Sequence, residues 1–252
     1  MRATILTVGT ELLFGQIVNT NAAYLASRLQ LQGIDVLYQF TVGDNPARLK
    51  AVLEHALRET ELVITTGGLG PTQDDLTKEV IAEVMGAELM LDEAVLSSIE
   101  GFFRRVGYEM TDNNRKQAYI PEGASVFYND VGTAPGFVSE RDGGIVIALP
   151  GPPRELKHLF EKDVLPYLRR RTDGVIRYKI LRFYGIGESA LETALTPLID
   201  AQTDPTIATY AKEGECSLRL ASKRDTEAEA MAAIEEMEDK VKALAGEFLY
   251  SD

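Results

Sequence analysis

Residues 63–80 read VITTGGLGPTQDDLTKEV. Val63-Ile64-Thr65-Thr66 is a β-branched run of the kind that forms a buried strand, and it breaks at Gly67-Gly68. The chain turns through Leu69-Gly70-Pro71 and is expected to re-enter order as a helix beginning near Thr72. Strand, glycine turn and helix start, in that order, suit a phosphate. Glycines let backbone N–H groups approach, and the first helical turn leaves donors unpaired. Gly67, Gly68 and Gly70 are therefore candidate phosphate-binding residues. Asp74 and Asp75 follow and would repel a phosphate unless a divalent cation stood between them and it. A purely structural alternative has Thr72 as N-cap, Asp75 closing a capping box and Asp74 paired with Lys78 one turn on.

Upstream, Ala3 to Val8 is a short apolar strand that ends at Gly9. The glycine-bounded segment Gly9-Thr10-Glu11-Leu12-Leu13-Phe14-Gly15 leaves it, with Glu11 its one charge. Asn19 or Thr20 can cap a helix with Ala22, Leu25, Ala26 and Leu29 on one face, stopped by Gly33. Ile34 to Val42 is the second strand. Asn45 as N-cap and Pro46 as N1 then open a second helix and leave Asp44 just outside it. Leu49, Val52, Leu53, Ala56 and Leu57 face the sheet, and His55 is an ordinary surface histidine. Three successive strand–helix repeats predict a parallel sheet covered on both faces.

Downstream, a helix from Asp92 to about Val106 is followed by a short polar helix over 111–118. The latter holds Asn113, Asn114, Arg115 and Lys116, a donor cluster that faces either an anionic ligand or solvent. From Pro121 the pattern changes to short strands, with a hairpin at Asp142-Gly143. Gly132-Thr133-Ala134-Pro135-Gly136 and Leu149-Pro150-Gly151-Pro152-Pro153-Arg154-Glu155 are further glycine- and proline-rich loops. Three such loops, each following a strand, point to one crevice at the strands' carboxyl ends. The last opens a helix carrying Leu156, Leu159, Phe160 and Val164 inward, with a kink expected at Pro166.

The run Arg169-Arg170-Arg171-Thr172-Asp173-Gly174 is the expected domain boundary. From 173 onward nine Lys or Arg stand against sixteen Asp or Glu, so the three arginines are no nucleic-acid tag. This segment predicts a βαββα unit with an edge strand near Phe248-Leu249 and a hairpin at Lys212-Glu213-Gly214-Glu215. Leu191, Leu195, Leu198, Ala230, Ile234, Met237, Val241 and Leu244 are expected to face its sheet.

A chain of 252 residues, 45% hydrophobic and 26% charged, has the composition of a globular protein with a main and a smaller domain. A net charge of -13 argues against a nucleic-acid partner. With one cysteine, Cys216, and two histidines, His55 and His158, any divalent ion must be held mainly by oxygen. Cys216 has no nearby histidine in sequence to activate it and reads as a structural thiol. Met1-Arg2 leads straight into a strand, so a cytoplasmic protein without signal peptide or membrane contact is expected.

The segments GTELLFGQIVNTNAAYL (9–25), VGDN (42–45), TTGGLGPTQDDLTKE (65–79), NNRKQA (113–118), GTAPGF (132–137), LPGPPRE (149–155) and YGIGES (184–189) carry a resemblance. The chain resembles the N-terminal part of the competence- and damage-inducible CinA proteins, whose first domain is similar to the molybdopterin-binding domains of molybdenum-cofactor biosynthesis. YAKEGE at 210–215 extends the likeness into the second domain. The resemblance implies a three-layer α/β/α domain with a mostly parallel sheet over 1–172 and a small KH-like α+β domain over 173–252. It implies metal-dependent hydrolysis of ADP-ribose to AMP and ribose 5-phosphate in the first domain, and a homodimer. Gly185-Ile186-Gly187-Glu188 lacks the GxxG spacing of an RNA clamp. Full-length members often carry a C-terminal nicotinamide-mononucleotide amidohydrolase domain, which would begin about where Tyr250-Ser251-Asp252 stands; no amidase is assigned.

For pyrophosphate cleavage without a histidine pair or catalytic cysteine, a carboxylate-held Mg²⁺, Mn²⁺ or Co²⁺ is the economical agent. The acids emerging at strand ends are Glu11, Asp44, Asp74 and Asp75. Asp44 and Asp74 are the expected metal ligands, Asp75 a ligand or water-orienter, and Glu11 a peripheral contact. Gly9, Thr10, Asn19, Gly132, Thr133 and Gly151 are expected at the substrate, with Lys78, Arg115, Lys116 and Arg154 as compensating charge. Two alternatives stay open: the same loops bind a pterin phosphate or nucleotide without hydrolysing it, with adenylyl transfer in some relatives, or they form a non-catalytic regulatory module.

Overall fold

The computed structural model describes residues 1–172, 174–212 and 215–251. The chain divides into two compact units, one of 1–30 and 34–171, the other of 31–33 and 172–252.

The first unit is built in chain order from β1 (Arg2–Val8), the short α1 (Thr10–Leu13), α2 (Thr20–Gln30), β2 (Asp35–Val42), α3 (Pro46–Glu59), β3 (Leu62–Thr66) and α4 (Thr77–Met85). There follow β4 (Leu89–Leu91), α5 (Glu93–Val106), a 3-10 turn over Asp112–Ala118, β5 (Tyr119–Pro121), β6 (Ser125–Phe127), β7 (Gly136–Arg141), β8 (Gly144–Leu149), α6 (Pro153–Leu159) and α7 (Leu165–Arg169). Six strands form one sheet in the order β2-β1-β3-β8-β7-β6. The pairings of β1 with β2 and β3, and of β3 with β8, are parallel; those of β7 with β8 and β6 are antiparallel.

Strand alternation splits the core into two layers. Ile5, Leu62, Ile64, Ile145 and Ile147 pack with Leu25 and Leu29 of α2 and Leu156 and Leu159 of α6. Leu6, Val63, Val146 and Ala148 pack with Leu49 and Leu53 of α3 and Val80 and Ile81 of α4. Every residue of β3 is buried, as expected for a central strand covered on both faces. Its buried hydroxyls find partners: Thr65 donates to Ile147 O and Thr66 to Pro150 O.

Local chemistry sets most boundaries. Asn45 Oδ1 accepts from Arg48 N with Pro46 at the first turn of α3, and Asp92 accepts from Ala94 N and Val95 N to start α5. Asp142 (φ 50°) and Gly143 (φ 83°) join β7 to β8 as a two-residue hairpin. Two boundaries differ from expectation. The helix after the glycine turn begins at Thr77, five residues later than Thr72; residues 72–75 form an isolated turn, with Asp75 N donating to Thr72 O. At Pro166 the expected kink takes the form of a π-helical segment over Phe160–Val164, just before α7.

The second unit contains β9 (Val175–Phe183), α8 (Glu188–Ala201), β10 (Thr206–Lys212), β11 (Glu215–Arg224), α9 (Glu227–Ala245) and β12 (Leu249–Ser251). Its sheet is antiparallel, ordered β10-β11-β9-β12. Leu191, Leu195, Ile234 and Val241 pack on Leu181, Phe183, Leu218 and Leu220. Cys216 lies in this core, 6% exposed, its thiol donating to Ile186 O. Leu244, expected to face the sheet, is exposed, and Ala245 and Glu238 take the inward positions instead. Glu238 is held there by Lys179 and Lys242. The tip of the β10–β11 hairpin, Glu213-Gly214, lies outside the described residues.

Candidate functional site

The carboxyl ends of β1, β3 and β8 stand side by side, and the loops that follow them wall a cavity of about 390 Å³. Gly67 begins its wall. Its φ of 102° favours glycine, and a Cβ there would lie 2.1 Å from Val8 O. The Gly67 amide donates to Leu149 O, so this nitrogen is not free for a ligand. The next three amides, of Gly68, Leu69 and Gly70, have no hydrogen-bond partner among the described residues. Successive unpaired N–H groups in a turn make an anion-binding concavity.

Five carboxylates also line this cavity: Glu11, Asp44, Asp74, Asp75 and Glu155. No Lys, Arg or His does so among the described residues. Four of the five are engaged locally. Asp44 Oδ2 accepts from Thr10 N (3.0 Å) and Thr10 Oγ1 (2.7 Å), tying the ends of β2 and β1 together. Asp75 Oδ2 accepts from Thr72 N (3.0 Å), and the Thr72 hydroxyl lies against both Asp74 and Asp75. The Thr72 hydrogen bond holds the exposed Asp74 carboxyl below its ordinary range. The capping-box contact expected of Asp75 thus exists, but it closes the isolated turn. Asp74 bonds to Thr72 where a pairing with Lys78 was expected.

Glu155, absent from the sequence-based candidates, accepts from Asn129 Nδ2 at 2.6 Å. Burial pushes its carboxyl pKa up, against the Asn129 hydrogen bond. A Cβ at Gly132 would sit 2.1 Å from Glu155 Oε2, so the glycine of that loop makes room for a carboxylate. The one signal for Glu155 was its place just after the LPGPP loop.

The expected cations do not reach the wall. Lys78 is 4% exposed and its ammonium donates to Lys116 O; burial brings its pKa down to about 8. Lys116 Nζ donates to Thr72 O (3.0 Å) and Asp75 O and lies 3.5 Å from Glu79. Gln117 Nε2 donates to Leu69 O at 3.3 Å. The Lys116 and Gln117 donors of the 3-10 turn therefore brace carbonyls of the glycine loop and the turn after it, and Gln117 also lines the cavity. Arg115 and Arg154 are exposed and line no part of the cavity. Thr133 and Gly151 do line it. Asn19 is a helix cap: its Oδ1 accepts from Ala22 N, and its Nδ2 donates to Thr7 Oγ1.

A second cavity, of about 320 Å³, opens beside the first, between the residues after β1 and the start of α2. Val8, Glu11, Gly151 and Pro152 line both. Asn21 Nδ2 donates to Thr66 Oγ1 (3.1 Å) and Gly151 O (2.7 Å), which fixes the shared wall.

The fit to a divalent ion is specific in kind. Among the described residues no group of three or more His, Cys, Asp or Glu side chains is placed to hold a metal. Asp44, Asp74 and Asp75 offer carboxylate oxygen, the donor type that a hard divalent ion takes.

A three-layer α/β/α domain with its crevice at the strand ends, followed by a small α+β unit, defines a recognisable class. Residues 4–170 match the family model described as "Probable molybdopterin binding domain", and residues 178–251 that of the "Damage-inducible protein CinA KH domain". The CinA-like proteins of Dictyoglomus turgidum and Dictyoglomus thermophilum are 51% and 50% identical over 252 residues, all of this chain and 61% of each relative. The crystal structure of the protein CinA with unknown function from Thermoplasma acidophilum is 39% identical, with a TM-score of 0.60 over 65% of this chain and 99% of that one. The chain belongs to the CinA family. It spans 61% of the length of the curated relatives it matches. Among the described residues no helix is long and apolar enough to cross a membrane.

Proposed function

We propose that the crevice of the first unit binds a phosphorylated small molecule of the nucleotide or pterin kind, its phosphate on the Gly68–Gly70 amides. The observation that carries this is the run of three unpartnered amides at the end of a central strand. Glu11, Asp44, Asp74, Asp75 and Glu155 set the condition: a polyanion enters with a divalent ion that offsets their charge. Asp44 and Asp74 would contact that ion, with Asp75 beside them. Calorimetry with ADP-ribose, AMP and a phosphorylated pterin, with and without Mg²⁺, tests the proposal. Binding of at least one that is strongly favoured by Mg²⁺ is expected; no binding under either condition overturns it.

The second proposal is hydrolysis of ADP-ribose to AMP and ribose 5-phosphate, favoured by the concentration of carboxylates around the amides. A divalent ion bound there would stabilise charge on the leaving phosphate. AMP release is expected with Mg²⁺, Mn²⁺ or Co²⁺. Asp44→Ala and Asp74→Asn should each lower kcat by about one to two orders of magnitude with the fold intact. Binding without AMP release under all three metals would leave a pterin- or nucleotide-binding module.

A further inference from the structure

The chain folds back on itself where α5 ends. Gly107 takes φ 77°, and the amides of Gly107 and Tyr108 both donate to Phe103 O. The returning segment Tyr108-Glu109-Met110 thereby joins Glu100, Phe103 and Arg104 around a groove of about 400 Å³. Phe103 and Met110 are half-buried, because both pack on the small core of Val95, Leu96, Ile99, Ala118 and Ile120. Tyr108 is not covered. It is 74% exposed, and Val106 beside the same turn is 43% exposed.

Three charges stand around this apolar surface: Glu100, Arg104 and Glu109. None has an ion-pair partner among the described residues, although Glu100 and Arg104 stand at i and i+4, where such pairs ordinarily close. None of the groove's residues lines the crevice at the strand ends.

A groove bearing one sign of charge would repel a copy of itself. This one carries both signs along a single helix, acid first and base one turn on, so an antiparallel copy presents the reverse order. Ser97, Glu100 and Arg104 are exposed on one side of α5, while Val95, Leu96 and Ile99 are buried on the other. A two-fold axis across the exposed side sets the Glu100 of each copy against the Arg104 of the other. Two ion pairs then flank the tyrosine, and tyrosine, methionine and arginine are residue types enriched where proteins meet.

We propose that two copies of this chain associate through antiparallel α5 helices, with Glu100 and Arg104 of one copy paired to Arg104 and Glu100 of the other and Tyr108 covered between them.

The test is sedimentation of the whole chain over a range of concentrations. Wild type should dimerise. Tyr108→Glu should raise the dissociation constant about tenfold or more. Glu100→Arg and Arg104→Glu should each do the same, because each sets like charges together twice across the axis. The double variant carrying both reversals places opposite charges together again and should recover the wild-type association, which separates pairing from misfolding. A chain that stays monomeric overturns the assignment and leaves the groove to a different partner. So does a dimer that Tyr108→Glu leaves intact, or one weakened by either reversal and not rescued by both. Loss of the dimer in Tyr38→Glu, on the open edge of β2, with Tyr108→Glu unaffected would put the contact at that edge and overturn it as well.

Discussion

Lys78 and Lys116 show how a residue can serve a site without touching it. The Lys116 ammonium bridges Thr72 O and Asp75 O, so Lys116→Met leaves two loop carbonyls without their donor. An expected loss of about 1–2 kcal/mol in urea unfolding, with weaker phosphate binding, would identify it as the loop's brace. Lys78 gives a pH signature. Burial lowers its folded pKa to about 8 against an ordinary 10.5, so between these values the unfolded chain binds more protons than the folded one. The cost of burying its charge is fully present below pH 8 and is relieved as pH rises towards 10.5. Stability measured across that window should gain more in wild type than in Lys78→Met; identical slopes would reject the assignment.

At the scale of elements, what was legible in the sequence was local. Asn45-Pro46, Asp92 and Asp142-Gly143 each announce a boundary by chemistry within four residues, and each boundary stands there. Asp92→Ala should cost about 1 kcal/mol in equilibrium unfolding by losing the hydrogen bonds that Asp92 accepts from Ala94 N and Val95 N at the start of α5. The Thr72–Asp75 segment misled because capping-box chemistry also closes an isolated turn; nothing within it reveals that α4 waits until Thr77. The glycine loops and the convergence of Glu11, Asp44, Asp74 and Asp75 were legible from strand ends. The brace was not, since Lys116 and Thr72 are 44 residues apart. In α9 the inward stripe runs Ile234, Glu238, Val241, Ala245, and a glutamate at an inward position cannot be found by searching for apolar periodicity.

Across the whole molecule, the two core layers of the first unit and the core of the second share no residue. Glu238 is 3% exposed; hydrogen bonds from Lys242 and Lys179 lower its pKa although burial alone would raise it. Glu238→Ala removes the carboxylate to which both Lys179 and Lys242 bond and should destabilise the second unit by about 1–2 kcal/mol. Stabilisation of the first unit by a crevice ligand should be unchanged, which thermal scans with and without ligand would show. A dimer, expected from related folds, is tested by sedimentation over a range of concentrations. The single thiol gives a way to follow the second unit alone. Because Cys216 is pinned to Ile186 O inside that core, an alkylating reagent reaches it only when the core opens. The unaltered chain thus carries its own clock: the labelling rate times the opening of the smaller unit, with no probe introduced and no background from any other cysteine.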